Sequence, residues 1–262
     1  MASITATQFN LVYDVLSFSL ATMGATTIFL WMRVSSAAER YKSALIISGL
    51  VTFIAAYHYL RIFNSWTEAF EWTKDGTVQA TGIPFNDAYR YMDWLLTVPL
   101  LLIEIVLVMN LPDDEIFSKA SKLGVASALM IILGYPGELV LDENHLGTRW
   151  FYWFAAMIPF VYIVYTLLIG LADATNSETD LTVRKLTKGV QWLTVISWCT
   201  YPIVYVFPML GIARDDIVVY IQLGYSVSDI ISKCGVGLMI YRISMAKSVA
   251  LRRGSEQTPL LA

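Results

Sequence analysis

Two carboxylates, an arginine and a threonine interrupt an otherwise apolar stretch between Arg90 and Glu104. Arg90, Asp93 and Thr97 are three and four residues apart, so in an α-helix their side chains stack on one face. Glu104 lies about 20° from that face and roughly 16 Å further along the helix axis than Asp93. The opposite face is apolar, which disfavours a solvated surface helix. Ionisable groups in such a segment are costly and indicate a function.

Asp229 and Lys233 form a second pair, four residues apart within another apolar stretch. A lysine at membrane depth needs an ion-pair partner or a chemical role. Two interpretations stay open on these residues alone. The pair either holds helices together, or Lys233 forms a Schiff base with an aldehyde and the carboxylates act as its counterions.

The composition indicates the kind of element that must position these groups. The 262 residues are 56% hydrophobic and 15% charged, with a mean hydropathy of +0.58, which is typical of a polytopic membrane protein. A net charge of −3 without a basic cluster argues against nucleic acid as a partner. Cys199 and Cys234 lie in apolar runs and are expected to be buried free thiols, and no spacing suggests a metal site.

Apolar windows long enough to cross a bilayer predict an all-α membrane protein with seven transmembrane helices. We expect a single domain over residues 1–262, with helices at about 8–33, 43–64, 86–109, 117–139, 149–172, 187–209 and 215–245. With the N-terminus outside, the inner segments carry three, two, three and four of the basic residues counted, against five outside. This bias predicts an outer N-terminus and a cytoplasmic C-terminus.

The connections differ in character. Alternating residues around Asp75-Gly76 predict a short hairpin within 65–85, with an irregular loop as the alternative. Residues 173–186 are polar and predict a cytoplasmic linker. The basic and then polar tail, 247–262, is expected to be mobile.

The chain resembles the microbial (type 1) rhodopsins over essentially all seven predicted helices. The resemblance is carried by Arg90 to Glu104, by Trp198-Cys199-Thr200-Tyr201-Pro202, and by Asp229 with Lys233. It implies a seven-helix bundle around all-trans retinal, with a Schiff base on Lys233 and counterions at Asp93 and Asp229. Aromatic residues of the segment Arg149 to Trp153 are expected at the ring end of the chromophore. The full predicted pocket is Trp94, Leu101, Met130, Gly134, Trp153, Trp198, Tyr201, Pro202 and Tyr205.

The pattern Asp93, Thr97 and Glu104 resembles that of outward proton pumps of the proteorhodopsin, xanthorhodopsin and cyanorhodopsin type. The resemblance implies that Asp93 accepts the Schiff-base proton and that Glu104 returns one from the cytoplasmic side, in a multi-pass plasma-membrane protein that forms trimers or pentamers. Asp93 disfavours a chloride pump, and the pattern is not that of a sodium pump. A photosensor that signals through a partner protein is the alternative. Thr97 is expected to bond either Asp93 or the carbonyl one turn back.

Four further expectations follow from the resemblance. His58 should pair with the proton acceptor, as in proteorhodopsin and xanthorhodopsin, with a histidine bonded to backbone or water as the alternative. Trp153 and Phe154 fill the region where a carotenoid antenna would need a gap, so no antenna is expected. Nothing near Ile221 supplies a glutamate pair for early proton release, so release is expected late, from Asp93 or water. Asp215 and Asp216 at that end could substitute, but solvation at the surface is the favoured interpretation of the two. Leu101 suggests green absorption.

Overall fold

The computed structural model describes residues 4–109, 111–140, 145–211 and 216–256. Within this part of the chain, helices pack as seven long rods, as predicted. Two rods are interrupted by π-helical turns, at Thr166–Gly170 in the fifth rod and at Ile230–Gly235 in the seventh. The helices are α1 (Ala6–Arg33), α2 (Glu39–Ala69), α3 (Tyr89–Leu107), α4 (Asp113–Glu138), α5 (Leu146–Tyr165), α6 (Ala172–Asn176), α7 (Leu181–Tyr205), α8 (Ile217–Asp229) and α9 (Val236–Glu256).

Five rods are long and apolar enough to cross a membrane by length and composition. The other two are α3, which carries Arg90, Asp93 and Glu104, and α7, whose first two turns carry Arg184 and Lys185. The three charged residues inside α3 therefore distinguish its sequence from that of an ordinary membrane-spanning helix. All three of its charged side chains are buried between helices.

Two predicted connections are wrong because the helices continue through polar sequence. Within 173–186, α6 extends to Asn176 and α7 begins at Leu181, after an N-cap in which Asp180 accepts from the main-chain N–H groups of Thr182 and Val183. The predicted tail is helical to Glu256, and its Lys247 is only 6% exposed. Hydropathy detects the apolar span and misses polar turns stabilised by capping and ion pairs. Residues 257–262 lie outside the described part of the chain.

The predicted hairpin is present between α2 and α3. Strands β1 (Phe70–Trp72) and β2 (Val78–Ala80) are antiparallel, with Phe70 opposite Ala80. Gly76 takes φ +80° in the turn, a conformation that favours glycine. The Thr73 hydroxyl donates to the Asp75 carboxylate and lowers the pKa of that group. The hairpin marks one end of the bundle, called the hairpin end below.

The core lies along α3, which packs against α2 and α4 and also contacts α9. Close helix packing depends on small residues at some crossings. A Cβ on Gly49 of α2 would lie 2.0 Å from Nε1 of Trp31 in α1, so this crossing requires glycine. Both cysteines are free thiols as expected, with Cys234 buried and Cys199 partly buried.

Candidate functional site

Four charged side chains meet at the centre of the bundle. Lys233 Nζ pairs with Asp229 and lies 3.1 Å from Oδ2 of Asp93, while Nη1 of Arg90 lies 3.5 Å from Oδ2 of Asp229. Each of the four is at most 1% exposed. Buried charges are tolerated when paired, and two cations face two anions here. If all four groups are charged, their charges balance.

The seventh rod positions two of these groups through a change of helix type. Asp229 ends α8, and Lys233 lies in the π-helical turn Ile230–Gly235. Such turns are rare in proteins, and those that do occur are often found at functional sites. The sequence predicted the pair from its spacing but gave no signal for the π turn.

The two carboxylates have very different hydrogen bonding. Asp229 accepts from Tyr59 at 2.8 Å, from Trp94 at 3.0 Å and from Tyr201 at 2.7 Å, in addition to its contacts with Arg90 and Lys233. Among the described residues, no hydrogen bond reaches either carboxylate oxygen of Asp93. Lys233 therefore lies between a carboxylate with three further donors and one that, among the described residues, has a close polar contact with Lys233 alone.

Two expectations about neighbours of Asp93 were tested by the contacts. The Thr97 hydroxyl donates to the main-chain carbonyl of Asp93 at 2.8 Å, so bonding one turn back is correct and bonding to the carboxylate is wrong. The His58 side chain is buried, and its Nδ1 lies 2.9 Å from the carbonyl oxygen of Ile54. Within the described chain no hydrogen bond joins His58 to Asp93, so their coupling stays a prediction.

Arg90 links the cluster to a cavity at the hairpin end whose largely apolar walls carry several charged side chains. Its Nη2 donates to Gln222 Oε1 at 2.6 Å, and Gln222 Nε2 donates to Asp87 at 2.9 Å. The cavity beyond, of about 300 Å³, is lined by Arg90, Asp87, Glu138 and Asp216 among others. Asp216 itself accepts from Gln8 at 2.5 Å, whereas Asp215 lies outside the described residues.

A second, largely apolar cavity opens onto Lys233. It is lined by all nine residues predicted for the pocket together with Lys233. Of the segment Arg149 to Trp153, only Trp153 lines it, so the broader expectation for that segment is wrong. Sequence reasoning also missed several lining residues, although their spacing from predicted ones is helical: Tyr91, Val98, Ile131, Ala156, Met157, Phe160, Tyr225 and Ser232.

Arg149 has a different place from the one predicted. It is fully buried, its Nη2 lies 3.0 Å from Oε2 of Glu138, and it donates to carbonyls at the ends of α4 and α7, including Gly137 and Tyr205. A cation at two helix C-termini satisfies carbonyls that lack partners within their own helices. Arg149 therefore ties three rods together at the hairpin end.

Glu104 lies on the other side of Lys233, away from the hairpin. Its side chain is 0% exposed, and Ser48 of α2 donates to Oε2 at 2.6 Å. No described residue makes a hydrogen bond to Oε1. The surroundings are apolar, with Leu102, Ile105 and Val108 fully buried nearby in α3 and just after it. The two carboxylates of α3 thus lie in a polar layer and in a dry layer.

Comparison with known proteins gives consistent matches along the whole chain. The sequence profile of a family described as "Bacteriorhodopsin-like protein" matches residues 12–246. A green-light absorbing proteorhodopsin of Gamma-proteobacterium EBAC31A08 is 28% identical over 238 residues, covering 90% of this chain and 88% of that protein.

Solved structures extend the comparison to the fold. Xanthorhodopsin, described as a light-driven ion pump with dual chromophore, is 42% identical with a TM-score of 0.91, over 96% of this chain and 99% of that one. A thermophilic rhodopsin is 39% identical with a TM-score of 0.88, over the same shares of the two chains.

Proposed function

Because the chain belongs to the bacteriorhodopsin-like family, the microbial type 1 rhodopsins, we propose that it is a light-driven outward proton pump. Asp93 is the proton acceptor, Asp229 the second counterion and Glu104 the proton donor. The observation that carries the proposal is the position of Asp93, with Oδ2 3.1 Å from Lys233 Nζ and no hydrogen bond from any other described residue.

The family implies covalently bound retinal, and the residues present suit it. Lys233 Nζ reaches a cavity whose walls are largely aromatic and aliphatic, including Trp94, Trp198 and Tyr201. An apolar polyene gains free energy from such walls. Lys233 would hold all-trans retinal as a Schiff base, and the retinal would supply the light-absorbing group and the light-driven isomerisation.

The proton leaves Lys233 Nζ for Asp93. Three donors hold Asp229 in its carboxylate form, because hydrogen bonds to a charged group stabilise that charge. Among the described residues Asp93 has no donor other than Lys233, so taking the proton of Lys233 breaks no other hydrogen bond of Asp93. Arg90 balances the charge of the cluster and lines the cavity at the hairpin end, whose charged residues Asp87 and Glu138 mark the exit for the proton.

Glu104 returns the proton from the opposite side. A carboxyl group in a dry apolar layer is held neutral, and a neutral carboxyl can donate. Acceptor and donor lie on opposite sides of Lys233 along α3, which gives transport a direction. With the N-terminus outside and the C-terminus in the cytoplasm, that direction is outward across the plasma membrane.

Two finer proposals concern assembly and antenna. The chain forms homo-oligomers, trimers or pentamers, and exposed apolar side chains such as Phe18 and Ile158 suit contacts with lipid or with another copy. It carries no carotenoid, because Trp153 donates to the Pro202 carbonyl at 3.1 Å and packs on Phe154, filling the wall between α5 and α7. The mass of the protein in lipid discs tests the oligomeric state. The absorption spectrum after a carotenoid is added to the wild type and to Trp153→Gly tests the absence of an antenna.

The test of function uses unbuffered cells that express the chain and receive all-trans retinal. Illumination with green light should acidify the medium, and a protonophore should abolish the change. Lys233→Ala should give neither pigment nor acidification, and a visible pigment in this variant would contradict the attachment site. Alkalinisation would reverse the proposed direction, and a coloured membrane without a pH change would favour a photosensor.

A further inference from the structure

Gln222 contacts the cation of the buried cluster, and the proposed proton path gives it no role. It is 0% exposed and lies in α8, seven residues before Asp229. The two side chains are therefore two turns apart on one helix face, roughly 10 Å along the axis. Arg90 of α3 reaches both of them. The seventh rod thus presents an amide and a carboxylate to the same guanidinium.

The contact with the neutral amide is the closer of the two. Arg90 Nη2 donates to Gln222 Oε1 at 2.6 Å, whereas Nη1 lies 3.5 Å from Oδ2 of Asp229. Hydrogen bonds between a guanidinium and a carboxylate usually measure about 2.7–2.9 Å. Arg90 is therefore held nearer to the hairpin end than attraction to the counterions alone would place it.

Asp87 fixes the orientation of this amide. Gln222 Nε2 donates at 2.9 Å to Oδ2 of Asp87, which lies just before α3. An ionised carboxylate can only accept hydrogen bonds, so this contact selects the NH₂ group and turns the amide oxygen toward Arg90. With the amide reversed, two donors would face each other at Arg90. Asp87 and Gln222 therefore act as one unit.

The other described contacts of Arg90 leave its position along the bundle open. Its guanidinium carbon lies 5.1 Å from the centroid of the Tyr59 ring and 5.6 Å from that of Tyr225, so aromatic rings confine the group sideways. Nη1 donates to the Tyr59 hydroxyl at 2.7 Å, and no described residue bonds Nε. Movement of the guanidinium toward the counterions is therefore opposed by its bond to Gln222.

We propose that Gln222 is the positioning residue of Arg90, which it holds on the hairpin side of the cluster, and that it thereby limits how strongly Arg90 stabilises the charge on Asp93. A carboxylate whose charge is stabilised less takes the proton of Lys233 more readily. A neutral amide achieves this without adding a charge to the cluster. The inference rests on the proposed role of Asp93 as acceptor.

The test is an acid titration of the retinal-bound pigment in the dark, followed by absorption. Protonation of Asp93 removes a counterion and shifts absorption to longer wavelength, so the midpoint of this transition reports on Asp93. Gln222→Leu should move the midpoint to lower pH by about one pH unit, because the released guanidinium approaches the carboxylates. Asp87→Ala should move it in the same direction by less, because the amide loses its fixed orientation.

The other groups that act on Asp93 remain in place in these variants. They include Lys233 and Asp229 of the seventh rod and His58 of α2. Asp93→Asn should abolish the transition. A transition that persists in Asp93→Asn would show that another group titrates, which would remove the acceptor of the proposed function and leave the effect of Gln222 on Arg90 to be read from the single variants.

Two controls separate positioning from packing. In an Arg90→Gln background, Gln222→Leu should leave the midpoint where Arg90→Gln alone places it, because Gln222 acts only through Arg90. Gln191→Leu is the matched control and should leave the midpoint of wild type unchanged. Gln191 is also buried, at 5% exposure, and it donates to Thr175 at 3.1 Å.

A midpoint that stays unchanged in Gln222→Leu, or moves to higher pH, would overturn the proposal. The same displacement with and without Arg90 would also overturn it, because Gln222 would then act on Asp93 by another means. If Gln222→Leu forms no pigment, Asp87→Ala decides by the same criteria.

Discussion

Asp93 and Asp229 share burial, charge and a lysine neighbour, but they differ in every other contact. Asp229 is surrounded by donors from α2, α3 and α7, namely Tyr59, Trp94 and Tyr201. Asp93 has Lys233 at 3.1 Å and no hydrogen bond from the described residues. Equal burial therefore does not give equal chemistry. In the proposed function, this difference in donors lets one carboxylate hold a charge and the other receive a proton.

The largest effect is expected from removing the receiving carboxylate. Asp93→Asn should lower light-driven pumping by more than about a hundredfold, because a positioned acid or base contributes at least that much. Losing a negative charge near Lys233 should also shift absorption to longer wavelength. Pumping at the wild-type rate would show that Asp229, despite its donors, accepts the proton.

The next largest effect concerns the dry carboxylate. Glu104→Gln should slow recovery of the proton on Lys233 by about a hundredfold and make it depend on external pH, because the internal donor is lost. Acceptance by Asp93 should be unchanged. Flash spectroscopy at several pH values measures both steps, and an unaltered recovery would contradict the role of Glu104.

A smaller effect is expected from removing one of the hydrogen bonds that distinguish Asp229 from Asp93. Tyr201→Phe removes one donor from Asp229, and a hydrogen bond to a charged group contributes about 1.5–3 kcal/mol. Asp229 then competes for the proton, so protonation of Asp93 should fall severalfold. Tyr205→Phe is the matched control, because its hydroxyl donates to the Gly134 carbonyl in the same cavity. Equal loss in both variants would indicate a packing effect.

The smallest effect is expected at Ser48. Ser48→Ala removes the donor that stabilises Glu104 once it has given up its proton, a contribution of about 1 kcal/mol. Proton recovery on Lys233 should therefore slow about fivefold. Ser127→Ala is the control, because Ser127 is equally buried but donates only to a carbonyl of its own helix. Faster recovery would mean that Ser48 holds the proton on Glu104.

Much of the site was predictable because placing charged side chains inside a membrane costs free energy, so such residues indicate a function. Asp93, Arg90, Asp229 and Lys233 stand out in apolar sequence, and helical spacing places each pair on one face. The partners that distinguish the aspartates were less visible. From the sequence alone, an aromatic residue such as Trp94 is expected only to pack against its neighbours. Its N–H donates to Asp229 because of the way in which α3 packs against the seventh rod.

The failures have the same physical origin. Thr97 had two bonding partners within reach, and the sequence does not fix its rotamer. Lys247 and Glu178 lie in segments predicted as a mobile tail and a polar linker, but they form a largely buried ion pair between parts distant in the chain. Arg149 is likewise buried by a tertiary contact, with Glu138. Local patterns identify charged groups, and tertiary contacts decide whether they are buried.

The most direct test of the account is time-resolved infrared spectroscopy of carboxyl groups after a flash. As Lys233 Nζ loses its proton, one new band of a protonated carboxyl should appear, shift with ¹³C-labelled aspartate and change frequency in Asp93→Glu. That result would identify Asp93 as the acceptor. An aspartate band that keeps its frequency in Asp93→Glu would assign the proton to Asp229 and contradict the account.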